Sequence, residues 1–172
     1  YIFIKNTSGS DVEFDIDKFL VEAVLAHANP QYAESNLTQS LKEGNWANVF
    51  DGDYSTYAWT NEQQKVGDYI TFDLGGSLLV ENLTAVMSDG NPRMYNGVME
   101  ISNDGIQWQT VATVTNDNSR FEVPYRYIEA SFEPTLAHYV RLRFTGASGY
   151  YFKLHELEIN KGVSTDSIQE IY

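Results

Sequence analysis

Apolar and polar residues alternate along much of the chain, which is the period of a half-buried β-strand. In Tyr69-Ile70-Thr71-Phe72-Asp73-Leu74 the residues Ile70, Phe72 and Leu74 share one face. In Tyr139-Val140-Arg141-Leu142-Arg143-Phe144 the residues Val140, Leu142 and Phe144 face inward and both arginines face outward. Val98-Met99-Glu100-Ile101-Ser102 leads through Asn103-Asp104-Gly105 into a second extended run from Ile106 to Val114, and an Asp-Gly pair tolerates the positive φ of a tight hairpin turn. Gly76 to Met87, Phe121 to Glu129 and Tyr151 to Ile159 also read as strands. Turn residues separate these runs at the spacing of an all-β sandwich, and no long helical pattern interrupts them.

A gapless offset of 138 residues lays Tyr1-Ile2-Phe3-Ile4-Lys5 on Tyr139-Val140-Arg141-Leu142-Arg143, and Phe14, Ile16, Phe19 and Val21 on Phe152, Leu154, Leu157 and Ile159. Two strands joined by a polar turn thus occur twice, with the apolar positions in register. The repeat makes Phe19 to Ala26, whose composition would also suit a helix, mostly strand. The expected organisation has residues 1–22 as the closing strands of an upstream homologous domain or an appendage. Residues 23–161 then form the main module, with 23 to about 45 as its linker and lead-in, and residues 162–172 form a linker.

Composition narrows the function. A length of 172 residues accommodates one ordinary domain. The formal net charge of −13 provides no footprint for phosphate backbones and repels anionic lipid, so nucleic acid is excluded as a partner. No apolar stretch approaches the roughly 20 residues needed to span a bilayer, so membrane insertion is not expected. With 42% hydrophobic and 14% aromatic residues the chain can bury a real core. The absence of cysteine removes disulfides, thiolate zinc sites and cysteine nucleophiles together. His27, His138 and His155 have no metal-site spacing, and no Gly-x-Ser-x-Gly elbow accompanies them.

The segment Asn48-Val49-Phe50-Asp51-Gly52-Asp53-Tyr54-Ser55-Thr56 sets two carboxylates around a glycine turn, with a hydroxyl three residues on. Such a set suits a hard cation that selects oxygen ligands, although an Asp-Gly-Asp triplet also occurs as a plain turn. Followed by Trp59, Val66 to Gly75, Glu100 to Trp108, Tyr139 to Leu142 and Leu154 to Ile159, this segment resembles the discoidin (coagulation factor V/VIII type C) domain family over roughly residues 30 to 160. Within it, the chain is most similar to family 32 carbohydrate-binding modules of bacterial N-acetylhexosaminidases. The resemblance implies an eight-stranded jelly-roll, discoidin-like β-sandwich, in agreement with the period-two pattern. It also implies a structural Ca2+ site formed by the Asn48 carbonyl, Asp51, Asp53, Thr56, the His155 carbonyl and Glu156. The upstream repeat has Asp17-Lys18 in place of His155-Glu156 and would not complete a second such site.

Sugar recognition requires an aromatic face against a pyranose, with a few planar donors and acceptors fixing the hydroxyls. The resemblance places such groups on loops at one end of the sandwich. The candidates are Trp59, Asn61 and Glu62 after the acidic turn, Asp89, Arg93, Tyr95 and Asn96 between Ser88 and Gly97, and Tyr150 and Tyr151 before the last strand. Arg93 and Asn96 lie closer together than the corresponding pair in galactose-binding relatives, and the ligand histidine of those relatives has no counterpart. This favours N-acetylglucosamine or a GlcNAc-containing glycan over galactose. Trp108 reads as structural. The expected role is non-catalytic: a secreted or cell-surface bacterial module that holds a parent glycosidase on GlcNAc- or galactose-containing glycans, with other domains of the same chain as neighbours. The alternatives are a structural spacer, or a protein- or lipid-binding discoidin domain without a sugar site.

Overall fold

The computed structural model describes residues 30–35, 41–115 and 119–161. The repeat expected in residues 1–22 and the linker expected in 162–172 lie outside the described residues. Nine strands are described: β1 (Gln31–Ser35), β2 (Leu41–Gly44), β3 (Ala58–Thr60), β4 (Tyr69–Ser88), β5 (Gly97–Ser102), β6 (Gln109–Val114), β7 (Arg120–Glu122), β8 (Tyr125–Phe144) and β9 (Lys153–Ile159). A 3₁₀ helix, Trp46–Phe50, joins β2 to the acidic turn, and the Asn45 side chain caps it by accepting from the Ala47 N–H.

β4 and β8 are each 20 residues long and serve both layers of the sandwich. The first part of β4 pairs with β1 and with the last part of β8, from Tyr69↔Arg143 to Asp73↔Tyr139. Its second part pairs with the first part of β8, through Ser88↔Tyr125, and with β9. Between the two parts the ladder is interrupted from Asp73 to Leu78, where Gly75 takes φ 81° and its N–H donates to Asp73 Oδ1 at 2.7 Å. β1, β5, β6 and the facing halves of β4 and β8 therefore make one layer. β2, β3, β9, β7 and the other halves make the second.

This arrangement changes three expectations. Tyr69 to Leu74 and Gly76 to Met87 are one bent strand rather than two, because the glycine pair turns the chain from one layer to the other without ending it. The run from Phe121 to Glu129 is divided between β7 and β8. The described part of the expected lead-in, residues 30–35 and 41–45, is mostly sheet, with β1 on the β4 edge and β2 on β3. The alternation itself holds, since Ile70, Phe72, Val140, Leu142 and Phe144 are all fully buried. Phe144 and Phe152 meet edge to face at 5.1 Å and close the core beneath the loops described next.

Candidate functional site

The acidic turn folds on its own side chains. Asp51 Oδ1 accepts from the Asp53 N–H at 2.8 Å, and Asp53 Oδ1 accepts from the Ser55 N–H at 2.9 Å. Both carboxyls are held below their usual range, Asp51 chiefly by the Asp53 N–H and Asp53 by Ser55. Thr56 Oγ1 lies 2.8 Å from Asp51 Oδ2, 3.0 Å from the Asp53 carbonyl and 3.2 Å from the Asn48 carbonyl. One hydroxyl hydrogen cannot serve three acceptors, so the turn concentrates more oxygen lone pairs than it has protons to satisfy.

Glu156 on β9 adds a buried carboxyl to this cluster. Its side chain reaches Asp51, takes the Gly52 N–H, and leaves Oε1 buried without a partner. Burial pushes its carboxyl up to about 7, and the Asp51 carboxylate adds to the shift. Among the described residues no three His, Asp or Glu side chains converge at metal-binding distance, so a cation here would depend on the carbonyls and the Thr56 hydroxyl as well. This donor chemistry fits a hard, oxygen-seeking ion. Asp53 and His155 also make contacts of their own around the turn. Asp53 presents its carbonyl to the cluster while one carboxylate oxygen is spent on Ser55. The contacts described for His155 are those of its ring, which bonds the Tyr54 and Thr56 carbonyls through Nδ1 at 2.8 and 3.0 Å and approaches Ser88 Oγ through Nε2 at 3.3 Å.

Three loops meet at the end of the sandwich where β4 and β8 run out and β5 and β9 begin. Gln64, 2% exposed, joins them. Its Nε2 donates to the Arg93 carbonyl at 2.8 Å and the Tyr151 carbonyl at 3.0 Å, its N–H donates to the Tyr150 carbonyl, and its own carbonyl accepts from Ser148. Tyr95, Asn96, Ala147, Ser148, Gly149 and Tyr150 line an open depression of about 270 Å³. The Tyr95 and Tyr150 rings stack at 6.0 Å and 25°, with Tyr150 46% exposed. Arg93 lies 4.5 Å from the Tyr95 centroid and donates through Nη1 to the Asp89 and Gly90 carbonyls, so it bonds the backbone of Asp89.

The structure thus brings Arg93, Tyr95, Asn96 and Tyr150 together and sets Trp59 and Tyr151 apart from that lining. Ala58 and Thr60 turn inward on β3, which puts Trp59 on the outer face of the sheet. Lys42 and Lys153 lie 3.9 and 4.0 Å from the Trp59 ring centroid, and Lys42 also lies 5.0 Å from the Tyr151 ring. Burial lowers the Lys153 ammonium pKa, and Lys42 adds to the effect. Asn61 is exposed, and Glu62 pairs with Lys65 at 3.3 Å on the loop behind the depression. Gln64, Ser148 and Gly149 were not among the residues expected at the site. They carry no local motif, and only the meeting of three distant loops gives them a role.

The fold and these loops define a discoidin-type β-sandwich, and the chain belongs to the F5/8 type C domain family, whose family model matches residues 33–157. Among solved structures, CpGH89CBM32-5 from Clostridium perfringens, in complex with GalNAc-β-1,3-galactose, is 22% identical at TM-score 0.59, covering 76% of this chain and 94% of that one. The family 32 module of NanJ from C. perfringens, in complex with galactose, is 16% identical at TM-score 0.56, covering 76% and 98%. Chitosan-binding module 2 of a chitosanase/glucanase from Paenibacillus sp. IK-5, in complex with chitotriose, is 18% identical at TM-score 0.56, covering 77% and 95%. A sequence comparison with curated proteins finds no significant match.

Proposed function

We propose that this chain is a non-catalytic carbohydrate-binding module whose sugar site is the depression between Tyr95 and Tyr150. The observation that carries the reading is an exposed tyrosine, stacked on a second, above an open depression whose three loops are pinned by one buried glutamine. The stacked rings offer a π-face to the C–H face of a pyranose, while Asn96 and Ser148 supply hydrogen-bonding groups in the lining and Arg93 backs the Tyr95 ring. Solved relatives of the same fold bound to galactose, GalNAc-galactose and chitotriose support this class of ligand. A terminal GlcNAc residue is the preferred ligand, with galactose second. The parent context is a bacterial glycosidase, secreted or at the cell surface, which the module would hold on its glycan.

Asn48, Asp51, Asp53, Thr56 and Glu156 are the residues that would hold a structural calcium ion, with the His155 carbonyl as the further ligand the family pattern suggests. Bound there, the ion would supply the positive charge that the paired carboxyls of Asp51 and Glu156 lack. These residues tie the acidic turn to β9, which leads out of the Tyr150 loop, and so support the depression from below.

A shallow site of this kind should bind a monosaccharide at about millimolar Kd, near −4 kcal/mol. Titration of GlcNAc, galactose, lactose and N,N′-diacetylchitobiose by calorimetry tests it. Tyr150→Ala is expected to weaken binding at least tenfold and Trp59→Ala to leave it within twofold. Equal binding by wild type and Tyr150→Ala, or no binding of any of the four sugars, overturns the assignment.

A further inference from the structure

At the far end of β5, roughly 17 Å along the strand from the Tyr95 loop, a second cavity of about 230 Å³ opens at the sheet end. Trp108, Gln107, Gln109, Asn103, Thr135 and Leu136 line it together with the ends of β5. Trp108 is half-buried, with the Arg141 guanidinium 3.8 Å from its ring centroid, and Leu136 beside it is 56% exposed. The hairpin that carries these groups is cross-braced by its own hydrogen bonds. Ser102 Oγ accepts from the Asp104 and Gly105 N–H groups, Asp104 Oδ1 accepts from those of Ile106 and Gln107 at 2.8 Å each, and Ser77 Oγ donates to Asn103 Oδ1.

The charges nearby are already spent. Arg141 is bonded to Glu100 at 2.8 Å, and Asp104 is consumed by backbone N–H groups. An indole edge and a leucine therefore adjoin side-chain amides and hydroxyls, with no uncommitted cation or anion among the lining groups. This is the chemistry of a neutral polyol site: apolar surface for sugar C–H groups, and planar amides for vicinal hydroxyls. The geometry points to a second saccharide site at this pole, selective for neutral hexoses or N-acetylhexosamines over uronic or sialic acids. Because it faces away from the Tyr95–Tyr150 depression, the two sites cannot grip one short oligosaccharide. They bridge two glycan chains, which raises retention on a polymer network without raising affinity for a monosaccharide.

The test is a titration of uniformly ¹⁵N-labelled protein with N,N′-diacetylchitobiose, lactose and glucuronic acid, followed by amide and indole N–H shifts. Saturable shifts of the Trp108 indole and the Gln107 and Gln109 amides with a neutral disaccharide are expected at millimolar Kd. These shifts should persist in Tyr150→Ala and fall at least fivefold in the double variant Gln107→Ala/Gln109→Ala, which replaces two exposed side chains. If residues 103–109 stay silent while Tyr95 and Tyr150 respond, or if their response vanishes in Tyr150→Ala, the second site is refuted. Response at 103–109 with silence at Tyr95 and Tyr150 supports it and instead refutes the site proposed above.

Discussion

Replacing Glu156 by Gln should separate the cost of the empty acidic cluster from the benefit of its ion. Without metal, the Glu156 carboxyl is 3% exposed, borders that of Asp51, and titrates at about 7 against an ordinary 4.5. A raised carboxyl pKa in the folded state means that stability is fully present below the unfolded value and is lost as pH rises through about 7. At pH 8 the loss would be about 3 kcal/mol at most. Asp51 is exposed, so water screens its repulsion of Glu156, which brings the expected penalty to about 1–2 kcal/mol. With Kd of about 10⁻⁴ to 10⁻³ M, 10 mM calcium would return about 1–3 kcal/mol to the wild type, roughly 4–10 °C in Tm. Glu156→Gln removes both effects: its Tm in chelator at pH 8 should exceed that of the wild type by a few degrees, and calcium should move it by less than about 1 °C. Differential scanning calorimetry in EDTA, calcium and magnesium reads the crossing directly. A wild type indifferent to calcium, or a variant that responds in full, refutes the reasoning.

Three further outcomes are expected. Glu100, 3% exposed, accepts from Arg143 at 2.7 and 3.1 Å and from Arg141 at 2.8 Å; burial pushes its carboxyl up, but the two guanidinium groups outweigh this and hold it below the usual range. Glu100→Gln should therefore cost about 2–4 kcal/mol in urea unfolding at pH 7, and the difference should shrink as pH falls from 4.5 through the lower folded value, because the wild type loses this stability in acid. A pH-independent difference would contradict it. Gln64→Ala strands the Arg93 and Tyr151 carbonyls, so it should lower stability by about 2–3 kcal/mol and weaken sugar titrations at least fivefold although Gln64 does not line the depression; unchanged affinity would show that the loops hold together without it. Gly44→Ala sets a Cβ 1.8 Å from the Tyr57 carbonyl at φ 80°, and should cost more than about 2 kcal/mol by thermal unfolding, whereas Gly67→Ala, at φ 90° with no atom near, should cost only about 1 kcal/mol.

Legibility followed the distance over which each feature is specified. Alternation is local, so the inward faces of Ile70 to Leu74 and Val140 to Phe144 could be read from a few residues. The same alternation placed Arg141 and Arg143 outward but was silent on Glu100, which lies buried beneath them because each long arginine folds down over a strand neighbour. Gly75-Gly76 looked like a strand boundary. A bend between layers and a break between strands use the same residue types, and only pairing on both sides tells them apart. At the site, Asp51 and Thr56 share one turn and were legible together, whereas Glu156 needed the family resemblance because it arrives from another strand. Gln64 had no signal at all, being one polar residue in a polar loop until three loops close around it. Trp59 shows the converse: proximity in sequence to the acidic turn suggested a place beside Tyr95 and Tyr150, while strand parity sends its ring to the outer face of β3 between two lysines. What positions the tyrosine depression is therefore the long-range course of β4 and β8. Because both strands cross between layers, they deliver the Ser88–Gly97 and Phe144–Lys153 loops to one end and leave the β5–β6 hairpin with Trp108 at the other, so two cavities of similar size face apart.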